Sequence, residues 1–140
     1  MTNKENQKSE EELKQIKEEK VQEMMSEKSN SDFPDEPVTL TAKKFSEVTD
    51  EYPLVVVDCW AEWCPPCKAL EPRIEELAEE LSGKIVFGKL NVDENKNIAQ
   101  KFGVSAIPTL LVMKDGEEID RMVGLSSKES LKKKLLNYVD

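Results

Sequence analysis

The motif Cys64-Pro65-Pro66-Cys67 places two thiols three residues apart, shortly after an apolar run at residues 54–57. In an α-helix, residues i and i+3 share a face, with Cβ atoms about 5–6 Å apart. That separation is close to the range that a disulfide spans. A turn of this kind can switch between dithiol and disulfide with little backbone motion, so the spacing predicts thiol–disulfide chemistry.

The two prolines indicate that Cys64 is the N-cap of a helix. A residue before proline is pushed into the extended conformation that an N-cap adopts, and prolines at the first helical positions lose only N–H groups without intrahelical partners. Pro66 has no N–H, so the donor to the Cys64 sulfur must be Cys67. This N–H and the helix dipole favour a thiolate at Cys64. We therefore predict that Cys64 attacks and that Cys67, better buried inside the helix, resolves.

Asp58 is a charged residue directly after three valines, on what should be a central strand, where a charge is costly. Burial raises the pKa of a carboxyl group, so Asp58 could take the proton from Cys67, directly or through a water. The alternative is a residue at the strand end that is exposed to solvent or caps a loop. Lys89, on the neighbouring predicted strand, is either a charge partner of Asp58 or a solvated lysine.

Three other residues near the motif have two interpretations each. Cys59 is expected to be a small buried hydrophobe, as free cysteines commonly are, with a regulatory thiol as the alternative. Trp60 and Trp63 could be core aromatics, but Trp63, next to Cys64, is also a candidate contact surface for a partner. For Ile107-Pro108, the sequence alone gives no reason to expect a cis peptide bond.

Strand and helix signals alternate from residue 38 onward. Helices are predicted from Thr41 to about residue 50, from Cys64 to Gly83 with a kink at Pro72, over 95–102, and after a capping box at Ser126 and Glu129. Leu131, Leu135 and Val139 should face inward from the last helix. Strands are predicted at 38–40, 54–60, 85–92, 109–113 and 118–123, with an Asp115-Gly116 hairpin turn before the last. The order βαβαβαββα predicts the α/β class: a three-layer α/β/α sandwich around a central mixed β-sheet.

The chain divides into a charged N-terminal extension, residues 1–36, and a domain at residues 37–140. The extension holds six Lys against eleven Asp or Glu and ends in a proline-containing linker at residues 29–37. We expect it to be solvated and partly helical or disordered, with a docking or dimerising helix as the alternative. The second segment is long enough to bury a core.

Composition narrows the function classes. The formal net charge of −9 argues against a nucleic-acid or anionic-membrane surface. No apolar run approaches a membrane span, and no apolar leader segment is apparent, so we expect a cytoplasmic protein. Three cysteines are a poor disulfide framework and fit a redox or metal-binding role better in that compartment. A zinc site would need a carboxylate or a second chain, because the sequence has no His.

Residues 57–68 resemble the active-site segment of the thioredoxin family, and further matches occur in the family's order at residues 89–93, 102–104, 107–110 and 123–124. The resemblance covers about residues 37–140. It implies the thioredoxin fold and reversible protein dithiol–disulfide exchange, with Cys64 as nucleophile, Cys67 as resolving thiol, Asp58 as the buried acid and Lys89 as its neighbour. It implies no cofactor or metal beyond the redox-active Cys64–Cys67 disulfide.

The resemblance also implies a client surface and partners. Pro108 would be a cis-proline facing the disulfide, and the Ile107 backbone would pair with an extended client segment. The apolar surface around the dithiol would be formed by Trp63, Ala106, Ile107, Val123 and Gly124. The implied partners are a thioredoxin reductase and oxidised client proteins. The protein itself is expected to be a monomer.

The sequence differs from the family in three places. Pro65 stands where a glycine is usual, Cys59 stands where an aromatic is usual, and the extension has no family counterpart. The leading hypothesis is a protein-disulfide reductase that serves cell redox homeostasis. The alternative from another class is a redox-sensing adaptor, whose dithiol regulates partner binding and whose acidic tail docks the partner.

Overall fold

A computed structural model of the chain describes residues 33–139. The chain divides into two units, Met1–Phe33 and Pro34–Asp140. The predictions for the N-terminal extension therefore lie almost wholly outside the described residues and stay predictions. Everything below concerns the second unit.

The second unit contains five strands and four helices among the described residues, in the predicted order. The strands are β1 Val38–Leu40, β2 Leu54–Trp60, β3 Val86–Asn91, β4 Thr109–Lys114 and β5 Glu117–Val123; the helices are α1 Ala42–Glu51, α2 Pro65–Glu80, α3 Lys96–Lys101 and α4 Lys128–Leu136. The predicted bounds differ from these by one to three residues at some ends.

The strands form one mixed sheet in the order β1-β3-β2-β4-β5. β3 pairs in parallel with β1 and β2, whereas β4 runs antiparallel to β2, and β5 antiparallel to β4. The connection from β1 to β2 moves in one direction along the sheet, and the connection from β2 to β3 moves back in the opposite direction. Because such connections are right-handed, they place α1 and α2 on opposite faces of the sheet. The predicted three-layer sandwich with a mixed sheet is confirmed.

A large core cluster lies between the sheet and the helices α2 and α4. It joins alternate residues of the strands to the inner faces of both helices: Leu54, Val56, Phe87, Leu110 and Val112 from the sheet, and Leu70, Ile74, Leu77, Leu131 and Leu135 from the helices. Alternate residues of a strand share a face. Asp58, two positions after Val56, therefore points to the side covered by α2.

Local capping agrees with the sequence at most positions. Thr41 Oγ1 accepts a hydrogen bond from Lys44 N at the start of α1, and the hairpin turn has positive φ at both Asp115 and Gly116, as the favoured two-residue hairpin requires. Pro72 lies within a single continuous helix.

Two details of the last helix were predicted wrongly. The N-cap of α4 is Ser127, whose Oγ accepts from Ser130 N at 3.1 Å. The carbonyl of Ser126 instead accepts from Arg73, a contact between distant parts of the chain that local sequence does not reveal. Val139 lies beyond the end of α4 and packs on the core from there.

Candidate active site

The two cysteines lie at the start of α2, shortly after the end of β2. Cys64 is the N-cap of α2, with extended backbone at φ −107° and ψ 101°, and Pro65 and Pro66 occupy the first two helical positions. The N–H of Cys67 donates a hydrogen bond to Cys64 Sγ at 3.3 Å. Cys64 and Cys67 form a disulfide with a Cα–Cα distance of 5.3 Å. The predicted capping geometry is therefore present in every detail.

The two cysteines are equally covered in this disulfide form. Each is 3% exposed, and they cluster with Ala61, with Trp60, Val92 and Ile107 packed against them. The expectation that Cys67 is better buried than Cys64 is thus wrong for the disulfide, because the bond draws the N-cap sulfur against the first turn. What distinguishes the two sulfurs is the N–H that points at Cys64.

Asp58 is a buried carboxylate without a hydrogen-bonding partner among the described residues. The residue is 1% exposed, and neither carboxylate oxygen has a partner. Loss of solvation raises the pKa of Asp58 to about 7, against an opposing effect from the positive charge of Lys89. The alternative of an exposed residue at the strand end is excluded. Near neutral pH, the carboxyl group can therefore both take up and release a proton.

Lys89 lies beside Asp58 but bonds to a different carboxylate. The two residues are register partners on the parallel strands β2 and β3. The ammonium of Lys89 donates a 2.7 Å hydrogen bond to Glu71 on α2 and lies 4.7 Å from the centre of the Trp60 ring. The charge partner predicted for Asp58 is thus a neighbour that acts through space and is held by Glu71.

An open groove of about 340 Å³ lies next to the disulfide cluster. It is lined by Trp63, Val92, Val104, Ser105, Ala106 and Ile107. Trp63 is 67% exposed, and its indole N–H donates a 2.8 Å hydrogen bond to Asp93. Ile107 belongs both to this groove and to the residues packed on the cysteines. The core interpretation of Trp63 is therefore wrong, since the ring faces solvent beside the disulfide.

The remaining predicted site residues are Pro108, just before β4, and Val123 and Gly124, at the end of β5. The Ile107–Pro108 bond is cis, and the carbonyl of Pro108 accepts a 2.8 Å hydrogen bond from Gly124 N. Gly124 has φ of 94°, in the left-handed region. Val123, which pairs with Thr109 across the hairpin, is 61% exposed. The structure thus joins Pro108 to Gly124 directly and leaves Val123 open to solvent.

Cys59 is buried inside the sheet. It is fully buried on β2, and burial raises the pKa of its thiol to about 12, with the nearby Asp58 charge acting in the same direction. A thiol that stays protonated is a poor nucleophile. The interpretation as a small buried hydrophobe is confirmed.

Two residues of the site, Glu71 and Asp93, are not predicted from the sequence. Glu71 is not among the site residues predicted from the sequence, and no contact between Asp93 and Trp63 is predicted. A signal for Glu71 existed, because it lies one helical turn after Cys67 and so on the same side of the helix. No local signal connects Asp93 with Trp63, because the bond between them spans 30 positions.

Two observations concern membranes and metals. Within residues 33–139, no helix combines the length and the apolar character that a membrane span needs. The same part of the chain has no cluster of three or more Cys, Asp or Glu side chains that could hold a metal ion.

Comparisons with known proteins agree with this site. The family model for thioredoxin matches residues 36–137. A thioredoxin of Chlorobaculum thiosulfatiphilum is 46% identical over 100 residues, covering 71% of this chain and 93% of the relative. The thioredoxin of Bacillus subtilis is 48% identical over 94 residues, covering 67% of this chain and 89% of the relative. Among solved structures, a mutant thioredoxin from Halobacterium salinarum shares 35% identity with a TM-score of 0.73, covering 82% of this chain and 97% of that one.

A disulfide-forming cysteine pair at the start of a helix, on a mixed-sheet sandwich, defines a protein-disulfide oxidoreductase. The chain belongs to the thioredoxin family. It carries out reversible dithiol–disulfide exchange with client proteins through Cys64 and Cys67, and this exchange uses the chain's own disulfide. The redox-sensing adaptor considered from sequence is not favoured by these relatives.

Proposed function

We propose that this protein acts as a cytoplasmic reductase of client disulfides, with Cys64 as the attacking thiolate and Cys67 as the resolving thiol. The observation that carries the assignment is the hydrogen bond from Cys67 N to Cys64 Sγ at the start of α2. In the reduced protein, the same N–H and the positive end of the helix dipole favour a thiolate at Cys64.

The reduction proceeds in two exchanges. The Cys64 thiolate attacks one sulfur of the client disulfide, so that a mixed disulfide forms and the client's other sulfur leaves as a thiolate. Cys67 then loses its proton and attacks Cys64 Sγ, which releases the second client thiolate and closes the Cys64–Cys67 disulfide. Two electrons pass to the client, and this chain is oxidised.

Asp58 is proposed as the group that takes the proton from Cys67 in the second exchange, directly or through a water. A base works best when its pKa is near the working pH, and the pKa of Asp58, about 7, meets that condition. Its position on the face covered by α2, the helix that carries Cys67, supports this role. Lys89 is proposed as the neighbouring positive charge that lowers the pKa of Asp58, against the effect of burial.

The client surface proposed here is the open groove together with Pro108, Val123 and Gly124. Trp63, Ala106 and Ile107 line the groove and offer apolar contact, while the Ile107 backbone would pair with an extended client segment. Exposed apolar side chains grouped beside a reactive disulfide are typical of a protein-binding site.

The proposed partners are oxidised client proteins and a thioredoxin reductase, which returns two electrons to the Cys64–Cys67 disulfide after each cycle. Membership of the thioredoxin family supports both. The cytoplasm is proposed as the compartment because a redox motif with one further buried thiol is the cysteine usage expected where thiols are kept reduced. We propose that the protein works as a monomer.

Reduction of insulin by dithiothreitol tests this function. The wild-type protein should accelerate the reaction well beyond dithiothreitol alone. Cys64→Ser should abolish the acceleration, whereas Cys67→Ser should accumulate a mixed disulfide with the client. A wild-type protein no faster than dithiothreitol would overturn the proposal.

A further inference from the structure

Glu71 is a half-exposed carboxylate on α2, close enough to the buried Asp58 for its negative charge to act on that residue. It accepts a 2.7 Å hydrogen bond from Lys89, whose side chain is only 18% exposed. Lys89 is the register partner of Asp58 across β2 and β3. Two carboxylates thus compete for one ammonium group, and the half-exposed Glu71 holds it.

We propose that Glu71 is a positioning residue, whose carboxylate holds the Lys89 ammonium so that Asp58 stays without a hydrogen-bonded counter-ion and remains able to take up a proton. This inference rests on the proposed role of Asp58 as the acceptor of the Cys67 proton. It adds a residue, and a reason, that neither the cysteine motif nor Asp58 itself supplies.

Within the described part of the chain, few other charged or titratable groups face Asp58. Lys89 faces it from β3, Glu71 approaches from α2, and the register partner on β4 is the uncharged Leu110. The reduced Cys67 adds one titratable thiol on α2. Among these groups Lys89 is the one cation, and a hydrogen-bonded ion pair with it would keep Asp58 ionised.

The competition has a clear electrostatic direction. The negative charge of Glu71 raises the pKa of Asp58, and the positive charge of Lys89 lowers it. Asp58 is the buried carboxylate in register with Lys89, so an ammonium released from Glu71 would have Asp58 as an alternative partner. An Asp58 paired with Lys89 would stay ionised near neutral pH and would be a weaker base.

The test follows the Asp58 carboxyl carbon by ¹³C NMR across a pH titration of the full-length oxidised protein. Glu71→Gln should lower the apparent pKa of Asp58 by about one unit. Glu75→Gln, which removes the same charge from an exposed position one turn along α2, should have a much smaller effect. An unchanged Asp58 pKa in Glu71→Gln would overturn the inference.

A double-mutant cycle separates positioning from direct repulsion. In a Lys89→Met background, Glu71→Gln should change the Asp58 pKa much less than in the wild type, because there is no ammonium to release. An equal change in both backgrounds would show that Glu71 acts directly on Asp58, which overturns positioning through Lys89.

The pH profile of client reduction distinguishes this inference from the function on which it rests. If Asp58 is the proton acceptor, the profile of Glu71→Gln should move to lower pH together with the Asp58 pKa. A shifted Asp58 pKa with an unmoved profile would support the positioning by Glu71 and overturn the proposed role of Asp58.

Discussion

Asp58 and Lys89 are register partners on adjacent parallel strands, yet the two side chains share no hydrogen bond. Lys89 bonds to Glu71 instead, and Asp58 is left as a buried carboxyl group without a hydrogen-bonding partner in the part of the chain that the structure describes. The consequence is a group that favours its neutral form, which affects both the stability of the protein and its chemistry.

The stability of the oxidised protein should depend on pH through Asp58. The pKa of Asp58 rises from 3.8 to about 7 on folding, so the native protein binds more protons than the unfolded chain between these values. This contribution to the free energy of unfolding is fully present below pH 3.8 and is lost as the pH rises through 7. Asp58→Asn should therefore be more stable than the wild type at pH 8, by up to about 4 kcal/mol.

Urea denaturation at pH 4 and pH 8 checks this expectation. The advantage of Asp58→Asn should be larger at pH 8 than at pH 4. Glu47→Gln, at an exposed position on α1, serves as the control and should show no such trend. An advantage that does not change with pH would mean that the Asp58 carboxyl is not neutral in the folded state.

The three thiols of the reduced protein should differ in reactivity. Cys64 Sγ accepts a hydrogen bond from Cys67 N at the start of α2, which favours a thiolate at Cys64. Iodoacetamide near pH 7 should therefore label Cys64 first. Cys59 should remain unlabelled until the protein unfolds, because it is fully buried and its pKa is about 12. Mass spectrometry of peptides from a time course measures the order, and labelling of Cys67 before or together with Cys64 would contradict the assigned roles.

Removal of the Trp63 ring should impair exchange with proteins more than exchange with small disulfides. The exposed ring lines the groove beside the cysteines. Trp63→Ala should lower kcat/KM for insulin roughly tenfold, the loss expected of an aromatic contact worth about 1–2 kcal/mol. The rate with a small aromatic disulfide should hardly change.

Ile119→Ala supplies a matched control for Trp63→Ala. Ile119 is an exposed apolar residue on β5 that does not line this groove. Equal losses with insulin for both variants, or an equal loss of Trp63→Ala with both substrates, would argue against the groove as the client surface.

A methyl group at Gly88 should destabilise the sheet. Gly88 is buried on β3, and a Cβ there would lie 2.4 Å from Cδ1 of Leu40 on β1. Gly88→Ala should lower the free energy of unfolding by about 1–3 kcal/mol, the usual cost of overpacking. In a Leu40→Ala background, the same substitution should cost less, because the clashing atoms are gone. Equal costs in both backgrounds, measured by urea denaturation, would exclude the clash as the cause.

Much of the fold and of the cysteine turn could be predicted from sequence because the signals are local. The proline pair after Cys64 restricts the backbone directly, and its effect reaches no farther than one helical turn. The apolar run before Asp58 likewise indicates a buried strand. The misassigned cap at Ser126 shows the limit, since the carbonyl of Ser126 bonds to Arg73, 53 positions away.

The sequence by itself determined the order of the elements, the capped cysteine turn and the thiol–disulfide chemistry, because these depend on residues within a few positions of one another. Tertiary structure alone decided which acceptor holds Lys89, that Asp58 has no hydrogen-bonding partner within residues 33–139, and that Trp63 is held by Asp93. Hydrogen bonds between side chains on different elements depend on register and burial. These are properties of the assembled sheet and helices, which no single stretch of sequence contains.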